Sequence, residues 1–110
     1  MEDKKALIRA LNDSFRATFI GGRVLMTASV QSLPEDIGSR ALSAVREFKD
    51  FNEDNDPHGE HDFGAFDLGG DKFLWKIDYY YDEDSCCGSE DPSNPEKTTR
   101  VLTLMLAEDY

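Results

Sequence analysis

Residues 61–81 read HDFGAFDLGGDKFLWKIDYYY. Two runs of β-compatible residues, HDFGAFDL and KFLWKIDYYY, flank Gly69-Gly70. Paired glycines between two such runs signal a tight hairpin, because glycine adopts the turn's positive φ without strain. In the second run Phe73, Trp75, Ile77 and Tyr79 alternate with Leu74, Lys76, Asp78 and Tyr80. A strand sends alternate side chains to opposite faces, so the first set predicts a core face and the second a mixed one.

Upstream of the hairpin, KKALIRALNDSFRATF (residues 4–19) spaces Leu7, Leu11 and Phe15 at four-residue steps with Ile8 on the flank. That predicts a helix with one apolar stripe and with Lys5, Arg9 and Arg16 left in solvent. Gly21-Gly22 releases the chain, and RVLMTASV predicts a strand over 23–30. Next, Ser32-x-x-Glu35 has the capping-box pattern with proline in the first turn, and Glu35 and Asp36 suit the positive end of a helix dipole. Ile37, Ala41, Ala44, Val45 and Phe48 then share a face, which predicts a helix over 34–49.

Downstream, DEDSCCGSEDPSNPEK (82–97) is a polar acidic loop. In TTRVLTLMLAEDY, Thr99, Val101, Thr103 and Met105 alternate with Arg100, Leu102, Leu104 and Leu106. This suits a strand; a short buried helix has nearly the same composition, and the β-branched start favours the strand. The expected architecture is α+β, in the order α-β-α-β-β-β. Two helices pack on a mainly antiparallel four-stranded sheet, in one domain spanning residues 1–110.

Composition narrows the function. The chain is 39% hydrophobic and 11% aromatic, which is too rich for disorder. No apolar run approaches the ~20 residues that cross a bilayer, and MEDKKALIRALND lacks the apolar core of a signal peptide, so a cytoplasmic protein with no membrane partner is expected. Cys86 and Cys87 are adjacent, which opposes a stabilising disulfide between them. The net charge of −11 is unevenly spread. Residues 1–46 hold seven basic and five acidic side chains, a net +2, whereas residues 47–110 hold five basic and eighteen acidic, a net −13. Such a field attracts basic surfaces and repels phosphates, so a basic protein partner is expected and direct nucleic-acid binding is not.

The densest cluster of reactive side chains is DNDPHGEHDFGAF (54–66). As a metal site it offers His58, Glu60, His61 and Asp62, with Asp78 across the sheet. Against that, strand alternation parts His61 from Asp62, and neither HExxH nor a complete calcium loop is present. As an acid–base site it offers His61 between Glu60 and Asp62, with Asp78 and Arg100 in support, but no GxSxG elbow and no glycine-rich phosphate cradle accompany it. As architecture, Asp54, Asn55, Asp56, Pro57 and Gly59 suit turns, and Glu60 and His61 would pin the loop by pairing with Arg100 or Lys76. No cofactor is implied.

Together GGRVLMTASVQSL, DNDPHGEHDFGAF, FLWKIDYYY and GSEDPSNPEKTTRVLTLMLAEDY resemble a family of small alphaproteobacterial proteins of unknown function. The resemblance spans nearly the whole chain and is most specific over 54–66. It rests on Asp54, Asn55, Asp56, Pro57, Gly59, Glu60, His61, Asp62, Phe63, Gly64 and Phe66, on Trp75, Lys76, Asp78 and Tyr79, and on Ser89, Glu90, Asp91, Pro92 and Arg100. It implies a single small bacterial domain, often met among accessory or mobile-element genes, with no assigned activity. An aromatic residue is more usual in that family where this chain has His58, which weighs against a mechanism needing both histidines.

The leading expectation is therefore a non-catalytic acidic protein that occupies a basic groove as a nucleic-acid mimic, in the manner of anti-restriction or anti-CRISPR inhibitors. Asp50, Glu53, Asp54, Asp56, Asp82, Glu83, Asp84, Glu90 and Asp91 would make the contact. The alternative is a small metal-binding protein or enzyme centred on Glu60, His61 and Asp62.

Overall fold

A computed structural model describes residues 3–81 and 88–110. The elements run α1 (Lys4–Thr18), β1 (Gly22–Met26), α2 (Ala28–Gln31), α3 (Glu35–Arg46), β2 (Phe63–Leu68), β3 (Asp71–Tyr80) and β4 (Thr99–Leu106), with short 3-10 turns at Pro95–Lys97 and Ala107–Asp109. The hairpin forms as its glycines dictate: Gly69 and Gly70 take φ of 61° and 88°, and β2 pairs antiparallel with β3 from Phe63↔Lys76 to Leu68↔Asp71. The ambiguous C-terminal segment is a strand, antiparallel to β3, and β1 lies parallel to β4 on its other side. The result is a mixed four-stranded sheet in the order β1-β4-β3-β2.

One sheet face is the core. Phe73, Trp75 and Ile77 of β3 and Leu102, Leu104 and Leu106 of β4 cluster with Phe15, Val30, Ala41, Val45 and Phe48 from the helical side. Each large apolar side chain so buried contributes about 1.5–3 kcal/mol relative to exposure. Val101 and Met105, on alternate positions of β4, stay outside that cluster and face the other way.

The structure corrects the expected outline in four places. The strand after Gly21 ends at Met26 instead of running to residue 30; Ala28–Gln31 forms a helix, so there are three helices among the described residues, not two. The capping box does not form: Pro34 is the N-cap of α3 with no side-chain bond, and the Ser32 hydroxyl donates back to the Ala28 carbonyl. Ser32 is thus spent closing α2. The helix over 34–49 is shorter, Glu35–Arg46, with Phe48 following it into the core.

The fourth correction concerns α1, whose buried residues are Ile8, Asn12, Phe15 and Arg16. Leu7 is left 36% exposed, while Arg16, expected in solvent, is 6% exposed. The helix is rotated so that a polar side chain occupies the middle of its packed face. No helix among the described residues is long and apolar enough to cross a membrane.

Candidate functional site

The polar stripe of α1 is the organising feature. Asn12 is fully buried, and a buried amide needs partners for its donor and acceptor groups. Its Nδ2 donates to the Glu60 carbonyl at 2.9 Å and to the Tyr79 hydroxyl at 2.8 Å, and its Oδ1 accepts from Arg100 Nε at 2.7 Å. Arg100 Nη2 donates onward to the Pro92 carbonyl at 2.6 Å, and the guanidinium lies 5.3 Å from the centre of the Tyr79 ring. The Tyr79 hydroxyl donates to Glu60 Oε1 at 2.9 Å. Burial pulls the Arg100 guanidinium below its ordinary range, against the opposing pull of Tyr79 and Glu60. Burial also pushes the Tyr79 phenol far above its usual value, so Tyr79 remains a donor.

One turn along, Arg16 donates through Nε to the Val45 carbonyl and through Nη2 to the Phe48 carbonyl, both at 3.1 Å. These carbonyls lie at and just beyond the C-terminal end of α3, where the helix no longer supplies its regular donors. The Arg16 guanidinium also sits over the Phe51 and Trp75 rings, at 5.1 and 5.3 Å, and its Nη1 lies 3.3 Å from Asp13 Oδ1. Desolvation lowers its pKa, with Asp13 opposing.

His61 occupies the next position. Its ring stacks on Phe51, with centroids 3.8 Å apart and planes 3° from parallel. Nδ1 is 2.8 Å from Asp13 Oδ1 and Nε2 is 3.6 Å from Asp56 Oδ2, while its backbone N–H donates to Asp56 Oδ1 at 3.0 Å. The backbone at His61 has a φ of +56°, a left-handed conformation that costs a non-glycine residue of order 1 kcal/mol and that these contacts hold in place. The partners differ from the expected ones: His61 meets Asp13 and Asp56 instead of Lys76 or Arg100, and Glu60 meets Tyr79.

The residues expected to carry chemistry are thereby distributed. Glu60 and Arg100 join the same network through Asn12 and Tyr79. His58 is exposed, and Asp78 pairs with Lys76 at 3.0 Å on the opposite sheet face from Tyr79. Among the described residues no group of three His, Cys, Asp or Glu side chains is arranged to hold a metal ion. Both ring nitrogens of His61 already face carboxylates, so the arrangement braces a loop. Asn12, Asp13 and Arg16 are the members that sequence reasoning missed. An asparagine interrupting an apolar stripe was the available signal.

Asp62 stands apart as a mild liability. Burial, and then the charges of Glu60 and Asp56, raise its pKa. A carboxyl whose folded pKa is raised destabilises the fold above that pKa and is neutral in its effect below the unfolded value of about 3.9. Asp62→Asn is therefore expected to raise the melting temperature at pH 7. The gain should shrink as pH falls through the raised pKa and vanish below the ordinary carboxylate range. A pH series of melting curves checks this; a gain that persists undiminished at low pH would contradict the assignment.

The brace also fixes the acidic connections. The α3–β2 connection is fastened to α1 through Gly59, Glu60 and His61, with Arg9 Nη1 donating to the Gly59 carbonyl at 3.2 Å. The β3–β4 connection is fastened through Pro92 to Arg100, and the Ser89 N–H donates to the Tyr79 carbonyl at 3.0 Å. Both hang from the same end of the sheet, where β3 finishes and β2 and β4 begin. Asp50, Glu53 and Asp54 are exposed, as is Glu90, and the ion pairs among the described residues give none of these four a basic partner. Asp91 lies 3.9 Å from Lys4, and its carboxylate is held below the ordinary range mainly by the Ser93 hydroxyl. Asp56 differs from the surface role expected of it: its side chain is 5% exposed and holds His61. Asp82, Glu83, Asp84 and the Cys86-Cys87 pair lie outside the described residues.

The fold and site define a small α+β domain with a buried polar brace beneath an acidic end. The chain belongs to the family described as "Protein of unknown function (DUF3768)", whose model matches residues 26–109. The match includes Glu60, His61, Tyr79 and Arg100 but not Asn12, Asp13 or Arg16 of α1. No curated protein and no solved structure matches the chain.

Proposed function

We propose that this protein is a non-catalytic binding protein whose acidic end engages a basic surface on another protein, in the place that a nucleic-acid backbone would occupy. The single observation that carries the reading is the attachment of two acidic connections to one end of the sheet, with Asp50, Glu53, Asp54 and Glu90 in solvent and lacking basic partners among the described residues. Preorganised carboxylates on a braced loop lose little conformational freedom on binding, which favours affinity. A net charge of −11 adds long-range steering toward a cationic groove.

The test uses the full chain as bait in a lysate at low salt, with duplex DNA as competitor. Recovered partners should be enriched in basic nucleic-acid-binding proteins and displaced by the DNA. Capture should fall by about tenfold or more between low and physiological salt, as expected when several ion pairs exchange with counterions. The neutralised variant Asp50→Asn/Glu53→Gln/Asp54→Asn/Glu90→Gln should melt like the wild type and lose capture. Partners no more basic than the lysate background, or undiminished capture by the neutralised variant, would overturn the proposal.

A further inference from the structure

β1 forms one edge of the sheet and pairs with β4 on its inner side. Just past its end, the Thr27 N–H donates to the Leu104 carbonyl at 3.1 Å. Backbone groups of successive residues point to opposite sides of a strand. Arg23 and Leu25 therefore address β4 like Thr27, while Gly22, Val24 and Met26 turn their N–H and C=O outward. The Met26 carbonyl fits this alternation, since it accepts from Gln31 Nε2 at 2.7 Å instead of from β4. Val24 is left with an outward N–H and C=O that have no partner among the described residues. Such an edge is a template for a further strand unless proline or a bulge blunts it. β1 contains no proline, and its register with β4 is unbroken from Gly22 to Met26.

Beside this edge the helical layer leaves a gap. An open hollow of about 460 Å³ is lined by Met26, Val30 and Leu33 and, from α3, by Gly38 and Leu42. Met26 packs against the core cluster, so the hollow lies on the core side of β1. Gly38 keeps its wall bare. Within a helix only proline is a weaker former than glycine, yet a Cβ at position 38 would meet nothing in the chain within 4 Å. Packing inside the molecule therefore does not call for this glycine, whereas close approach by another chain would use it. Glu35 is the one charged residue lining the hollow; it is exposed and takes part in none of the ion pairs among the described residues.

We infer that the free edge of β1 takes up an extended segment of another protein as a fifth strand, with an apolar side chain in the hollow and a lysine or arginine against Glu35. In strand addition the main-chain hydrogen bonds supply affinity, and pockets for alternate side chains supply sequence preference. The edge offers the first through Val24 and the hollow offers the second. A net charge of −11 further favours a basic segment. A second copy of β1 fits this edge less well. Its own core-side residues, Val24 and Met26, already pack into its own core and bring nothing to fill the hollow. Pairing ends at Met26, whose carbonyl Gln31 occupies. Asp50, Glu53, Asp54 and Glu90 belong to the connections after α3 and β3 and line no part of the hollow, so the two binding surfaces are separate.

The probe is a displayed library of random peptides about ten residues long, ample to span the five residues of β1, selected on the full chain. Recovered sequences should alternate apolar with polar residues and carry lysine or arginine. N-methylating a recovered peptide should weaken binding about tenfold or more at every second residue and little in between, as a strand paired along one edge requires. Exchange of the Val24 amide proton should slow in the complex. Gly38→Leu should melt at or above the wild-type temperature and bind the peptide about tenfold or more weakly. The variant neutralised at Asp50, Glu53, Asp54 and Glu90 should bind the peptide like the wild type, so the two proposals fail separately. No enrichment over background, N-methyl effects without alternation, or full binding by Gly38→Leu would overturn the inference. So would a peptide-free chain at twice 12.4 kDa with Val24 already protected, because a second copy would then hold the edge.

Discussion

Asn12→Leu is expected to cost the fold about 3–5 kcal/mol, out of a total of about 5–15 kcal/mol for a domain of this size. The branched shape is conserved, but two methyl groups are bulkier than the amide they replace, so overpacking at this fully buried position adds to the electrostatic loss. The substitution removes the acceptor of Arg100 Nε and the donor to both the Glu60 carbonyl and the Tyr79 hydroxyl. Most of the cost falls on the buried Arg100 guanidinium, already disfavoured by desolvation and now left with an unpaired N–H. Arg100→Met in the same chain should recover part of the loss, because removing both partners leaves nothing charged in the gap. A double-mutant cycle by chemical denaturation should then give a coupling of at least about 1 kcal/mol. Strict additivity, or an Asn12→Leu protein within about 0.5 kcal/mol of wild type, would show that the brace does not hold the fold.

The second large effect lies on the other side of the core. Gly64 is buried on β2, opposite Trp75 in the register. A Cβ at that position would come within 2.4 Å of Trp75 Nε1 and 2.8 Å of Phe48 Cε1. Neither ring has room to retreat: Trp75 is fully buried, and it meets Phe48 and Phe51 edge-on at 5.5 and 6.2 Å. The indole lies against the glycine, and its Nε1 is the one buried side-chain polar atom among the described residues without a hydrogen-bond partner. Gly64→Ala should therefore destabilise by about 2–4 kcal/mol through overpacking, even though alanine is otherwise the better strand residue. Trp75 is the sole tryptophan, so its fluorescence reports the unfolding directly. A melting temperature equal to that of the wild type would mean that the indole has somewhere to go.

These two positions mark how far the residues could be read in advance. Gly64 appears in the sequence as an ordinary strand glycine, because the need for its missing side chain arises only from the indole opposite. Asn12 appears as a blemish in an apolar stripe, and the periodicity of α1 gives nearly equal grounds for burying Leu7 or Ile8. What tips the helix is Arg16, whose donors satisfy carbonyls at the open end of α3. His61 was identifiable as a residue with carboxylates near it. The two carboxylates that reach its ring, however, are Asp13, forty-eight positions away, and Asp56.

The capping-box reading failed for a related reason. Ser32-x-x-Glu35 is a sound local pattern, but the chain before it is already helical, and the Ser32 hydroxyl had a closer acceptor in the Ala28 carbonyl. A four-residue helix is too short to announce itself by periodicity, so the β-compatible run from Arg23 to Val30 read as one strand.

By itself the sequence determined the β2–β3 hairpin, the α+β class and the one-sided distribution of acidic charge, while for the C-terminal segment it favoured a strand over a short buried helix without deciding between them. Each of these depends on interactions within a few residues or on composition alone. Only the tertiary structure decided which side of α1 is buried, that β1 joins β4 in parallel, and that Asn12 meets Arg100 across eighty-eight positions of chain. Periodicity says which side chains share a face. What that face meets is set by packing and by the requirement that every buried donor find an acceptor, and both are conditions on the folded whole.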